Sequence, residues 1–210
     1  SSRLATYMKW IEIERQLASA KFNMFSDHEF KRITQTSPVS AKFLLIRYTR
    51  RGLLCRLKRG LYAVKSRMPA SWAVANRLYM PSYISLTCAL SYYGMIPETV
   101  FSVTSVTTKG TREFETQGIS YAYRTIKRRA FAGYGSIEIQ GNPVLIADRE
   151  KALADYLYFV FLKKESLNAR LSLRKVNRRK LSDYLDSFSH PGLMEWFRHD
   201  FQIPNRRTAR

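Results

Sequence analysis

The sequence predicts an α+β fold in two parts, a helical domain at residues 1–68 and a mixed α/β domain at residues 69–210. Helix caps and apolar residues three or four apart mark the first domain, whereas β-branched runs separated by glycines fill residues 99–147. The charge balance also changes, from 15 basic against 4 acidic side chains in the first domain to 11 against 8 in residues 69–165. Each part is long enough to bury its own core, so we expect the two to fold independently.

The first domain is predicted to contain three helices. The first spans residues 4–18, and the face expected to be buried carries Leu4, Tyr7, Ile11, Glu14 and Leu17. The second begins at Ser26 and runs to about residue 34. Ser26 and Glu29 have the spacing of a capping box, in which each side chain accepts a hydrogen bond from the backbone N–H of the other residue.

The third predicted helix supplies most of the candidate binding residues. Ser37 is its expected N-cap, and Pro38 is its first residue. It should end at Arg51, where Gly52 supplies a left-handed stop. The inward face is predicted to carry Ala41, Leu44, Leu45 and Tyr48, and the outward face Ser40, Phe43, Arg47, Arg50 and Arg51.

A hairpin is predicted after the third helix. Its strands are expected at residues 53–57 and 61–64, joined by a basic turn at Lys58, Arg59 and Gly60. Three helices followed by a basic hairpin predict a winged helix-turn-helix, which places its third helix in the major groove of DNA. We therefore expect base contacts from Ser40, Phe43, Arg47 and Arg50, hairpin contacts from Lys58 and Arg59, and phosphate contacts from Arg51 and Arg56, with Lys42 in the same interface.

Charge gives the strongest indication of a partner. The chain holds 36 Lys and Arg against 16 Asp and Glu, a net charge of +20. Nine basic residues and no acid lie between Lys42 and Arg67, where a merely solvated surface would interleave both signs. This pattern predicts double-stranded DNA as the partner. An acidic protein or a membrane surface is the alternative, and winged helices also dock on proteins, in which case Phe43 would contact a partner or lie partly in the core.

The sequence contains none of the standard motifs for catalysis, metal binding or cofactor binding. Cys55 and Cys88 lie in apolar segments and are expected to be core thiols, and the three histidines stand apart in polar segments. No phosphate-binding, dinucleotide-binding or nucleophile-elbow motif occurs. No apolar run approaches the roughly 20 residues that span a bilayer. We therefore expect a cytoplasmic protein with no cofactor, no metal and no membrane partner.

The second domain is predicted to be a sheet flanked by helices. Helices are expected at 70–79 and 82–93, the latter ended by Gly94. Strands are expected at 100–107, 112–116, 119–126, 136–139 and 143–146. Further helices are expected at 148–162 with Asp148 as N-cap, at 174–188 and at 192–201, before a basic tail at 205–210 that should fray. Lys175, Arg178, Arg179 and Lys180 form a second basic cluster, which either contacts flanking DNA or faces solvent.

Five short strings carry a resemblance to a known family. They are GLL at 52–54, RGLY at 59–62, PSYISL at 81–86, ALSYYG at 89–94 and EKALAD at 150–155. Their order and spacing resemble those of the AbiEi-type antitoxins of abortive-infection, type IV toxin-antitoxin systems, over about residues 25–162. The last three strings are far more specific to that family than a winged helix alone.

The resemblance implies a division of labour between the domains. It implies an N-terminal winged helix that represses the promoter of its own operon through the helix at 37–51 and the turn at 58–60. It also implies a second domain that counteracts a nucleotidyltransferase-like toxin without needing a stable complex with it. The resemblance assigns no catalytic residue, and Tyr83, Ser85 and Tyr92 are expected to be hydrogen-bonding core residues. Whether the chain contacts the toxin directly, or binds DNA as a homodimer, stays open.

Two other functions stay open at this point. Glu138 on a predicted strand, followed by Asp148, Glu150 and Lys151, resembles the acidic-plus-lysine set with which nucleases hold a divalent metal and activate water. Asp148 and Glu150 also have ordinary roles in the first turn of a helix, so this resemblance is poor. The other is a plain transcriptional regulator without antitoxin activity.

Overall fold

The computed structural model describes residues 2–199 and 201, with the side chains of residues 2–8 left out. The chain is mixed α+β and forms two compact units, Ser1–Ala70 and Ser71–Arg210, divided two residues after the boundary expected from the sequence. No helix in the described part of the chain is both long and apolar enough to cross a membrane. The tail at 205–210, expected to fray, lies outside the described residues.

The first unit contains three helices and a small antiparallel sheet. Its elements are α1 (Ser2–Ser19), β1 (Met24–Ser26), α2 (Asp27–Thr34), α3 (Pro38–Arg50), β2 (Leu54–Lys58) and β3 (Leu61–Val64), with a 3₁₀ turn at Lys65–Arg67. The strand order is β1-β3-β2. The hairpin β2–β3 was predicted, whereas β1 was not, because it has three residues and pairs with a strand almost 40 positions away.

Local capping signals fix the two helices that follow β1. The Ser26 side chain accepts a hydrogen bond from the Glu29 backbone N–H at 3.2 Å, and the Glu29 carboxylate accepts one from the Ser26 N–H at 2.7 Å. The Ser37 hydroxyl accepts from the Ser40 N–H at 3.2 Å, with Pro38 as the first residue of α3. Both predicted caps are therefore confirmed, because each satisfies donors that the first helical turn leaves free.

The buried face of α1 differs from the predicted one. Trp10, Ile13 and Leu17 are buried, whereas Ile11 is 44% exposed; the side chains of Leu4 and Tyr7 lie outside the described set. The indole of Trp10 packs on the ring of Tyr48 with 4.9 Å between centroids. The helix is rotated from the predicted face because burying an indole removes more apolar surface from water than burying Ile11.

The second unit is built on a six-stranded mixed sheet. Its elements are α4 (Ser71–Leu78), β4 (Ser82–Ile84), α5 (Leu86–Tyr92), β5 (Val103–Thr107), β6 (Arg112–Thr116), β7 (Ile119–Thr125), β8 (Tyr134–Ile139), β9 (Asn142–Ala147), α6 (Arg149–Phe161), α7 (Arg178–Ser187) and α8 (Leu193–His199), with a 3₁₀ turn at Arg128–Ala130. The strand order is β6-β7-β5-β4-β9-β8. Pairs β4–β9 and β5–β7 are parallel, and the others are antiparallel.

The single helix predicted at 82–93 is wrong in its first part. Residues Ser82–Ile84 form β4, which lies between β5 and β9 in the middle of the sheet, and α5 begins only at Leu86. A short apolar run is compatible with either a buried strand or a buried helix, so local periodicity could not separate the two. The pairing partners that decide the matter lie about 20 and 60 positions further along the chain. The helix predicted at 174–188 begins later, at Arg178, after an Asn177 N-cap.

Gly133 is the one glycine whose substitution should disturb a specific contact in this unit. Its φ is +74°, and a Cβ there would lie 2.6 Å from the ring and hydroxyl of Tyr184, which donates to the Asp148 carboxylate. Gly118 has a similar φ of +72° with nothing within 4 Å of an added Cβ. We expect Gly118→Ala to cost about 1 kcal/mol of backbone strain, and Gly133→Ala about 1 to 3 kcal/mol more. Urea unfolding measures the loss of stability in both variants. Equal losses would show that the Tyr184 ring moves aside without a cost in free energy.

Candidate nucleic-acid interface

The outer face of α3 presents most of the predicted binding residues. Ser40, Lys42, Phe43, Arg47 and Arg50 are exposed, and Arg51 is exposed at the C-cap of the helix. The opposite face carries Ala41, Leu44, Leu45 and Tyr48, all of them buried. The structure therefore confirms which residues of α3 face the core and which face solvent.

The inward face of α3 packs into the core of the first unit. Leu45 and Tyr48 belong to one cluster with Trp10 and Phe25, and the rings of Phe25 and Phe30 stack at 5.4 Å. Burial raises the pKa of the Tyr48 phenol, and the guanidinium groups of Arg47 and Arg51 act against that rise. These contacts fix which side of α3 faces the core and which side faces solvent.

The hairpin adds a second set of basic side chains. Arg56 is the exposed residue in the middle of β2, and Lys58 and Arg59 lie at the turn, half-buried and exposed respectively. The register shifts between Arg56 and Lys58, and Gly60 has a φ of +76°, a conformation that glycine adopts without strain. The two irregularities shape the tip of the hairpin.

A groove of about 580 Å³ lies between α2, α3 and the hairpin. Its lining is Asp27, His28, Lys31, Pro38, Ala41, Lys42, Leu45, Ile46, Arg56, Arg59, Gly60 and Tyr62. The structure thus brings Lys42, Arg56 and Arg59 together in the groove, while Ser40, Phe43, Arg47 and Arg50 lie on the outer face of α3 outside its lining. Burial and the Asp27 carboxylate raise the pKa of the Tyr62 phenol, and the Arg56 guanidinium acts against that rise.

Sequence reasoning missed two parts of this surface. Lys31, in the last turn of α2, lines the groove with the three predicted basic residues. Val39 and Ile46 are exposed apolar residues on α3, beside Phe43. A helical projection of residues 38–50 could have revealed this apolar group. At 100° per residue, positions 39, 43, 46 and 50 fall within about 60° of one another.

The acids around the start of α6, which suggested a nuclease, have structural partners. Asp148 caps α6 by accepting from the Lys151 backbone N–H at 2.9 Å, and its other carboxylate oxygen accepts from the Tyr184 hydroxyl at 2.6 Å. Lys180 lies 3.0 Å from the Asp148 carboxylate, and Glu150 accepts from the Asn177 N–H at 3.0 Å. Within residues 2–199 and 201, no group of three His, Cys, Asp or Glu side chains is placed to hold a metal ion.

A fully buried polar cluster surrounds Lys151 and Asp155 of α6. The Lys151 ammonium is 2.6 Å from one carboxylate oxygen of Asp155, and the hydroxyls of Ser85 and Tyr83 donate to the other at 2.7 and 3.1 Å. Burial raises the pKa of Asp155, and its three partners act against that rise. Tyr83 and Ser85 are thus the hydrogen-bonding core residues that were expected, whereas Tyr92 is half-exposed.

No protein-family model and no curated protein matches the chain significantly, so the resemblance to AbiEi-type antitoxins rests on its sequence strings alone.

Proposed function

We propose that the Ser1–Ala70 unit is a winged helix that binds double-stranded DNA, with α3 in the major groove and the β2–β3 hairpin beside it. The observation that carries this proposal is the surface of α3 and its groove, where basic side chains from three elements lie together. The first turn of α3 also holds no acidic residue, although the first turn of α2 holds Asp27 and Glu29. Helix N-termini favour acids, so their absence from α3 suits a polyanionic partner.

The salt dependence of binding tests the electrostatic part of this proposal. If the interface neutralises about six phosphates, the logarithm of the binding constant should fall with the logarithm of salt concentration with a slope of roughly −5. Fluorescence anisotropy of a labelled duplex, titrated with the full chain at several salt concentrations, gives the slope. A slope near zero would mean that the basic surface does not contact phosphates.

The wider role that we propose rests on the AbiEi-type resemblance together with this surface. In it, the chain is a cytoplasmic antitoxin that represses its own operon through the first unit and counteracts a nucleotidyltransferase-like toxin through the second. In this role the chain needs no stable complex with the toxin, and it uses no catalytic residue, cofactor or metal of its own. The mixed fold of the second unit, with its separate core, supports two activities that can be lost one at a time.

A further inference from the structure

The outer surface of α3 carries an apolar strip between its basic residues. Val39 is 65% exposed, Phe43 66% and Ile46 40%. With about 100° between successive residues, these three and Arg50 project within about 60° of one another, on the side opposite the buried Ala41, Leu45 and Tyr48. The strip therefore lies along the most outward line of the helix.

This strip does not pack in the core of its own unit. Phe43 in particular keeps most of its ring in water, which costs free energy unless a partner covers it. Arg47 and Arg50 follow the strip along the helix, and the chain from Lys42 to Arg67 contains no acid. A partner that covers this strip together with Arg47 and Arg50 would be polyanionic and would also present apolar groups to the middle of the helix.

The major groove of DNA has both properties. Its phosphates are anionic, and each thymine projects a C5-methyl group from the groove floor, where Phe and other apolar side chains contact it. From Val39 to Ile46 the helix rises about 10 Å, which corresponds to about three base-pair steps of 3.4 Å. The three side chains could thus reach methyl groups on neighbouring base pairs.

We infer that Val39, Phe43 and Ile46 recognise thymine C5-methyl groups, so that the preferred site contains thymines beside the bases contacted by Arg47 and Arg50. This inference rests on the proposed DNA binding and adds the base class that the helix selects. It assigns a specificity role to Val39 and Ile46, which lie among the basic residues without carrying charge.

Deoxyuridine provides the test, because it pairs as thymine does but lacks the methyl group. A duplex is first selected by the full chain from a pool of randomised sequences, and each thymine is then replaced by deoxyuridine, one at a time. Losing one buried methyl contact should weaken binding about three- to fourfold. We expect this loss at one to three positions, with unchanged salt dependence.

Variants connect the lost methyl group to particular side chains. In Phe43→Ala, the deoxyuridine effect should disappear at one position, and in Val39→Ala at a neighbouring one. Ile11→Ala removes an exposed apolar side chain from α1 and should leave every deoxyuridine effect intact. Circular dichroism melting checks that all three variants fold, which their exposure leads us to expect.

The possible results separate this inference from the proposed function. Salt-dependent binding with no deoxyuridine effect at any position would overturn the thymine assignment and leave DNA binding intact. If no position shows a deoxyuridine effect and the chain forms a dimer that Phe43→Ala dissociates, the thymine assignment is overturned. The strip would then be a contact between copies of the chain. Failure to enrich or bind any duplex would overturn the proposed function and the inference together.

Discussion

Replacing Arg47 and Arg50 together by glutamate should reduce duplex affinity by about 100-fold or more, because each arginine contact is worth about 1 to 3 kcal/mol and the new carboxylates repel phosphates. The buried face of α3, including Leu44 and Tyr48, is unchanged by these substitutions. The fold should therefore persist, with a small loss from acids placed in the last turn of the helix. Anisotropy titration against the selected duplex measures the affinity.

The matched control is Lys163→Glu with Lys164→Glu, which lowers the net charge equally. Both lysines are exposed in the second unit. If binding depends on the α3 surface, the control should retain most of its affinity at moderate salt. Equal losses in the two double variants would show that total charge, and not the placement of Arg47 and Arg50, determines the affinity.

The same double glutamate variant separates the two proposed roles. Expressed with a toxin driven from an unrelated inducible promoter, it should no longer repress the promoter of its own operon, yet cells should survive. The reason is that the Ser71–Arg210 unit has its own sheet and core, which the substitutions do not touch. If the variant accumulates normally and the cells die, the second unit has no antitoxic activity of its own.

Lys151→Met should strongly destabilise the second unit. The ammonium of Lys151 and the carboxylate of Asp155 are both fully buried, and they lie 2.6 Å apart. Removing one member of a buried pair leaves the other without compensation and costs about 3 to 5 kcal/mol. The substitution also removes the cation from the face of the Phe188 ring, 4.6 Å away. Urea unfolding followed by circular dichroism should show the loss in the transition of this unit.

Lys180→Met is the control for this prediction. Lys180 also pairs with carboxylates, those of Asp148 at 3.0 Å and Glu150 at 3.6 Å, but its side chain is 45% exposed. Solvent screens such a pair, so its loss should change stability by about 0 to 1 kcal/mol. If Lys151→Met proved no more harmful than Lys180→Met, the buried pair would not stabilise the second unit as we describe.

Features set by neighbouring residues could be predicted from the sequence, and features set by distant partners could not. The caps at Ser26, Ser37 and Asp148 were predicted because the capping residue and the N–H it satisfies lie three residues apart. β1 and β4 were missed because three-residue strands owe their existence to pairing with remote strands.

The candidate site divides in the same way. The basic and polar side chains of α3 follow from helical periodicity, so their exposure was predicted correctly. The groove was not predicted, because Lys31 reaches it only through the packing of α2 beside α3 and the hairpin. The buried partner of Lys151 lies four residues away on the same helix, but Tyr83 and Ser85 join it from another part of the unit, which no local pattern reveals.

Photocrosslinking from position 43 tests the central claim most directly. Phe43 is 66% exposed on α3, and Phe101, 91% exposed in the other unit, is the matched position. With p-benzoylphenylalanine placed at 43, irradiation should link the chain to a labelled duplex, and an excess of unlabelled duplex should prevent the link. Placed at 101, it should yield little or no link. A duplex that links at 101 and not at 43 would contradict the assignment of α3 as the helix that contacts DNA.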